Sequence, residues 1–526
     1  MRHIATHKSQ SATVVLATVA LLLFGRLTLR HVGESYFLAD QVDQLQKYEA
    51  ALRLEPEGLW GPAMSGTAAR ALGPFGALIF GLPVSLGLGI EAIHALTSLL
   101  LVIAVGIAFW QLARLDQVLA WGWLIVFTAM RMVWWNAAMF WVNTLLLPLG
   151  LLVLALFAAN LRRPSTAKVA GIALVLLLAL QVHLVALVGL PILLVAALQT
   201  WRGGPEPVPS GLGEGGRRAR DRDLRPTTAA VGGLIILTLL PYVLAEVKTS
   251  FRNTRAMFSH VESVARSDGG EGAHAAAETL VLAADPMVWF PDSRTIALAT
   301  GAAMALAALA ILAWRRRRVS QADLKVGLYG LAEARPQSPA MGWLVVTTVF
   351  AVGGQALFFL LMARPLNGLH YAILLAPWYA IPPATLLAAA FLDAGHLAAR
   401  VAAPALGVVA VLLLLFIGPA RADRFAERTR WNYSAIVTAL DTLCAGQAVE
   451  TLEGPGLVDE LTASYDSVLR YLMKRGFSRC RYDAASDIVI AANRGASFDE
   501  SIEIAGQRFT RETVLPPGLA RYRRVP

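Results

Sequence analysis

Long apolar stretches without a formal charge recur along the chain, at 139 to 161, 169 to 201, 295 to 314, 336 to 363, 365 to 392 and 401 to 420. Each matches or exceeds the roughly 20 residues that a helix needs to cross a hydrocarbon layer. The stretches lack the alternation of a barrel strand, and a helix satisfies its own backbone where water is absent, so the pattern predicts helices. Spans are expected at about 11–29, 93–113, 117–135, 139–161, 167–183, 184–200, 229–247, 295–314, 342–363, 371–392 and 401–420. The charge-free stretch 71–90 is left out, because five glycines with Pro74 and Pro83 suit a re-entrant or interfacial segment better than a regular span.

Charge placement orients this map. With eleven spans, Arg114, the group Arg162, Arg163 and Lys168, the loop 202–225, Arg315 to Arg318 with Lys325, and Arg400 all fall on one side. The positive-inside rule makes that side cytoplasmic, with the N-terminus inside and the C-terminus outside. Arg2 and Lys8 precede the apolar run Ser11 to Gly25, which has no small-x-small cleavage site behind it and so reads as an uncleaved anchor. The stretch 169–201 is expected to turn near His183, the alternative being one long tilted helix. Segments 30–72, 248–294 and the tail from 421 lie outside, and the Gly-, Pro- and Arg-rich inner loop 202–228 is expected to be flexible and solvated.

The predicted fold is an all-α polytopic membrane protein of about eleven helices plus a re-entrant or interfacial segment, with a small α/β extramembrane domain. Its two parts are a transmembrane domain, 1–420, and a tail domain, 421–526. The tail combines a helix-like stretch, Leu457 to Met473, with a strand-like Asp487-Ile-Val-Ile-Ala-Ala. Composition agrees: of 526 residues 56% are hydrophobic and 16% charged, which excludes a single soluble globule. Topology accounts for much of the net charge of +10, so no nucleic-acid partner is implied. Cys444 and Cys480 both follow the last span and can form one disulfide if the tail faces an oxidising compartment.

Candidate chemistry gathers on the expected outer side. Asp40 and Asp43 follow the first span, share a helix face, and suit a general base or a cation site; an amphipathic helix with acids in its first turn accounts for them equally. Arg131 and Arg364 break the charge rule at outer span ends, where a guanidinium fork suits phosphate oxygens and the alternative is snorkelling to headgroups. His183 and His370 lie at the same level, able to bind phosphate or sugar or simply to satisfy backbone. Asn136 and Asn143 suit sugar hydroxyls, with helix capping the other account of Asn136. Trp134, Trp135, Trp141 and Trp378 read as interfacial belt residues, with sugar stacking the second reading for Trp134 and Trp135.

In this order the features resemble the GT-C class of integral-membrane glycosyltransferases, the broad group of protein mannosyltransferases and lipid A aminoarabinose transferases. The resemblance covers roughly 10–395: an N-terminal span, Asp40-Gln41 opening the outer loop, Gly73-Pro74, Gln181-x-His183, and His370-Tyr371 entering a late span. It implies a polyprenyl-phosphate sugar as donor, Asp40 as general base with Asp43 in reserve, and Arg131, Arg364, His183, His370, Tyr371 and Asn136 around the substrates. Gln41 departs from the Asp-Glu found in many relatives, and no Asp-x-Asp pair marks a metal in this loop. The implied partners are the bilayer of the bacterial inner membrane, the lipid-linked donor, and a glycan, lipid or protein acceptor. Two other classes compete: a transporter or flippase for a lipid-linked or anionic substrate, and an assembly protein whose outer domain binds a partner.

Overall fold

The computed structural model describes residues 2–30, 32, 37, 39–62, 70–139, 141–202, 215–265, 337–362, 373–393, 396–426, 432–451, 462–492, 498–504 and 506–525. The first half comprises α1 (Arg2–Thr28), α2 (Ala39–Leu52), α3 (Pro56–Leu59), α4 (Phe75–Ser85), α5 (Ile90–Ala113), α6 (Gln117–Ala129), α7 (Arg131–Ala138), α8 (Leu146–Arg162), α9 (Thr166–Val182) and α10 (Leu190–Arg202). There follow α11 (Gly215–Lys248), α12 (Arg252–Ala265), α13 (Gln337–Met362), α14 (Ala376–Tyr379), α15 (Ile381–Asp393), α16 (His396–Phe416) and α17 (Gly418–Ala426).

Among the described residues six helices are long and apolar enough to cross a membrane, or up to nine if each of three bent pairs is one span. This is a mostly helical fold consistent with a polytopic membrane protein. Thr166–Val182 is a shorter apolar helix, and the expected span 295–314 lies outside the described residues. The stretch 71–90 contributes only the 11 residues of α4, too short to cross.

The bends fall where the sequence interrupts helix. The expected span 117–135 breaks at Met130, whose extended backbone (φ −69°, ψ 133°) turns α7 by 61° from α6. Arg131 is therefore the exposed first residue of a separate short helix, not part of a continuous span. At His183, also extended, α9 ends and a 3-10 turn Leu184–Gly189 leads into α10. The chain reverses there: Asn160, at the end of α8 and just before α9, donates to the Ala196 carbonyl at 3.3 Å and to Thr200 at 3.2 Å. The turn expected near His183 is present, and the single tilted helix is not.

Residues 215–228, part of the loop expected to be flexible and solvated, form the first turns of α11. Good helix formers such as Arg, Ala and Leu outweigh the local Gly and Pro signals, and Pro226 stands within the helix.

The tail folds as α18 (Tyr433–Cys444), β1 (Ala448–Thr451), α19 (Thr462–Lys474), β2 (Arg481–Tyr482), β3 (Ile488–Ala492), β4 (Ser501–Ile504), β5 (Gln507–Leu515) and β6 (Leu519–Arg524). The six-stranded sheet has order β2-β1-β3-β6-β5-β4, parallel across its first three strands and antiparallel after them. β3 explains its uninterrupted apolar sequence, because both faces are covered. Ile488 and Ile490 join the core with Leu440 and Val468 of the helices, whereas Val489 and Ala491 pack with Phe509, Ala520 and Tyr522 on the other side. The domain docks on α2 through an Arg475–Glu49 ion pair, and Phe37, just before α2, makes an edge-to-face contact with Tyr433 at 5.6 Å.

Cys444 and Cys480 are bonded, joining the end of α18 to the segment before β2. The bridge closes a sequence separation of 36, which in the chain-entropy picture constrains the unfolded chain by about 3–4 kcal/mol. Thiol labelling of the denatured full-length protein should find no reactive cysteine until reductant is added. Cys444→Ser should lower the unfolding temperature of the tail domain by several degrees; labelling without reductant would show that the bridge does not form.

Candidate functional site

A polar layer closes the end of the bundle that carries the tail domain, and Gln181 is its hub. The side chain sits two residues before the break at His183 and is 2% exposed, so its amide must be paired inside the protein. Its Oε1 accepts from the Phe75 N–H at 3.2 Å and its Nε2 donates to the Thr238 carbonyl at 2.9 Å, tying α4 and α11 to α9. The Gly-Pro segment explains itself here. A Cβ on Gly73 would stand 2.6 Å from Gln181 Oε1, and one on Gly61 would stand 2.7 Å from the Gln181 carbonyl oxygen, so only glycine lets this loop lie against α9. The loop closes on itself through Gly61 N–H to Ala71 O and Ala71 N–H to Pro62 O, both 2.9 Å.

Next to it lies a second knot that the sequence reading missed. α11 and α12 meet at 92°, and Glu246, 2% exposed, holds the corner: Oε1 accepts from Trp60 Nε1 at 3.0 Å and Oε2 from the Thr254 N–H at 2.9 Å. Arg252 lies over the Trp60 ring at 4.9 Å and pairs with Glu57 at 3.2 Å. Asn253 holds Arg70 by both backbone groups, accepting from its N–H at 2.6 Å and donating to its carbonyl at 3.1 Å. The available signal was the one used for Arg131, an ionisable residue inside an expected span.

The acids predicted to do chemistry lie on α2. Asp40 is the second residue of that helix. Asp43 forms an ion pair with Lys47 one turn on and accepts from Gln44 Nε2 at 3.4 Å, so its charge is already engaged. The lysine is 4% exposed and the carboxylate 42%. The ends of α1 and α17 and the starts of α2 and α18 come together in this region. Arg30, just past α1, pairs with Asp423 of α17 at 3.3 Å, and Phe37, just before α2, meets Tyr433 at the start of α18. α7, which begins with Arg131, packs against both α1 and α17. The start of α2 and the start of α7 therefore belong to the same end of the bundle.

The other described candidates take structural positions. His183 Nδ1 accepts the Val185 N–H at 3.1 Å and so caps the 3-10 turn. Asn136 lies within α7 and caps no helix start; it is 2% exposed, and its Nδ2 is buried without a hydrogen-bond partner. Asn143 is likewise buried, with an unpaired Oδ1. Trp134 is neither a belt residue nor a sugar platform: it is 2% exposed, donates to the Thr128 carbonyl at 2.7 Å and packs on Phe24. Trp378 is buried against Phe157 and is not in a belt either. Both correct the sequence reading, which had no means of seeing a partner helix over the ring. Arg364, His370 and Tyr371 lie outside the described residues.

Among the described residues no group of three or more His, Cys, Asp or Glu could hold a metal ion. Comparison of the chain with protein-family models, curated proteins and solved structures finds no match. The class that the fold supports is a mostly helical protein with six to nine candidate apolar spans among the described residues and a C-terminal sheet domain.

Glu246→Ala should leave the Trp60 and Thr254 donors buried without an acceptor, at a cost of about 1–3 kcal/mol each. Gly73→Ala should destabilise by about 1–3 kcal/mol through the clash with Gln181. Unfolding followed by tryptophan fluorescence in detergent measures both, and wild-type melting in either variant would contradict this account of the layer.

Proposed function

We propose that this chain is an inverting glycosyltransferase of the GT-C type, moving a sugar from a polyprenyl-phosphate carrier to a glycan, lipid or protein acceptor at the outer face of the bacterial inner membrane. In this reading the chain crosses eleven times, with its N-terminus cytoplasmic and the tail domain periplasmic. The Cys444–Cys480 bridge supports an oxidising compartment for the tail. The single observation that carries the proposal is that α2, with Asp40 at its start, and α7, with Arg131 at its start, sit at the end of the bundle that bears the disulfide-linked domain.

The acceptor hydroxyl attacks the anomeric carbon opposite the carrier phosphate. Its proton goes to the Asp40 carboxylate as the new glycosidic bond forms and the bond from carbon to phosphate oxygen breaks. The departing phosphate keeps the electron pair, and Arg131 and Arg364 offset the charge that builds on its oxygens. His183, His370 and Tyr371 hold donor and acceptor, and Asn136 offers a sugar hydroxyl its unpaired amide. Asp43 is engaged by Lys47, which leaves Asp40 as the acid assigned to the acceptor and Asp43 in reserve.

Asp40→Asn should lower transfer by about 100-fold or more while expression and donor binding persist, and Asp43→Asn should cost only a few-fold. The assay is transfer by membranes supplied with lipid-linked sugar, after mass spectrometry of envelope lipids and glycans from cells lacking the protein has named the missing product. Full transfer by Asp40→Asn would end the assignment of the base.

The breaks at Met130 and His183 favour a second reading, a transporter or flippase for a lipid-linked substrate, because discontinuous helices line many transport sites. That reading expects lipid movement to continue in Asp40→Asn with no new glycosidic bond in either protein.

A further inference from the structure

At the same end of the bundle, α1, α7 and α17 bring together an excess of positive charge. Arg26 and Arg30 lie one turn apart at the end of α1, Arg421 and Arg424 lie on α17, and Arg131 opens α7. In the sequences of these three helices Asp423 is the one carboxylate, and it pairs with Arg30 at 3.3 Å. Arg421 is held in place by donating to the Ala129 carbonyl, the acceptor left over where α6 breaks. Arg26 and Arg424 are exposed. Cations concentrated at one level of a helix bundle repel one another, and a bound anion relieves that repulsion.

Beneath the cations the surface is apolar. Leu22, Arg26 and Leu29 follow one another at helical spacing along α1, and Leu22 is 68% exposed. On α16, which packs against α1, Leu412, Leu415 and Phe416 are exposed, Phe416 by 76%. A free phosphate would use the charge and leave this surface uncovered; a lipid with an anionic headgroup covers both.

We propose that the junction of α1, α16 and α17 is a binding site for an anionic phospholipid, its phosphate between Arg26, Arg421 and Arg424 and an acyl chain along Leu22, Leu412 and Phe416. The site is independent of sugar transfer and does not rely on it.

The test uses full-length protein, delipidated in an uncharged detergent and titrated with phosphatidylglycerol, with phosphatidylcholine of the same chains, or with inorganic phosphate. Native mass spectrometry counts bound lipid, and the unfolding temperature is read in parallel. Phosphatidylglycerol should bind and raise the unfolding temperature, phosphatidylcholine and inorganic phosphate should not, and the Arg26→Gln, Arg424→Gln double variant should bind phosphatidylglycerol at least tenfold more weakly. Both substituted side chains are exposed, which spares the Arg421 contact with Ala129. Should the double variant not fold, Arg424→Gln alone and the headgroup comparison on the wild-type protein decide the matter. Equal stabilisation by phosphatidylcholine, an undiminished affinity in the variants, or the full effect from inorganic phosphate would each overturn the site.

Discussion

Where a helix breaks inside an apolar layer, its last carbonyls and first N–H groups have no water to turn to and must find partners within the protein. This constraint organises the whole bundle. The break at Met130 leaves carbonyls that are met by Arg421 at Ala129 and by Trp134 at Thr128. In the last turn of α7, the Ala137 carbonyl is met by His94 Nε2 at 2.8 Å, and the Pro377 carbonyl in α14 is met by Trp123 at 2.8 Å. The start of α12 is met by Glu246 and the start of α4 by Gln181.

Because each of these partners comes from a distant part of the chain, satisfying a local break also fixes tertiary structure. Arg421 lies 292 positions from the carbonyl it reaches, and Trp123 lies 254 from its own. Breaks that would destabilise an isolated helix thus become the points where α6, α7, α14 and α17 are locked together. They are concentrated at the end of the bundle that bears α2 and the tail domain. Under the proposed function, cross-links of this kind would hold a lipid-linked substrate in place against an acid.

The balance of charge at this end follows the same logic. Acids such as Glu246 and Asp43 are consumed by structure, one as a corner post and the other by Lys47. Several arginines of α1 and α17, by contrast, have no carboxylate to match them within those helices. Helices whose broken ends are met by distant partners but whose own sequences carry more arginine than carboxylate are suited to the anionic ligands proposed above.

Much of this was legible in the chain. Apolar runs marked helices, and the reversal at His183 was readable because a 33-residue charge-free stretch is too long for one straight crossing. The β3 strand and the cysteine pair also stood out, since both depend on local residue type or simple count. What stayed hidden was every property set by a partner far away in sequence. Trp134 and Trp378 carry the composition of a membrane belt, and only the helices packed over them make them core. Asn136 resembled a cap until α7 placed it mid-helix, and Glu246 was a stray charge until Trp60 and Thr254 were folded against it. Periodicity and composition alone determine which segments are helix and which are apolar, because those preferences are paid residue by residue. Which buried polar group meets which broken end was decided by the tertiary structure, because a hydrogen bond in an apolar interior depends on the one partner that arrives.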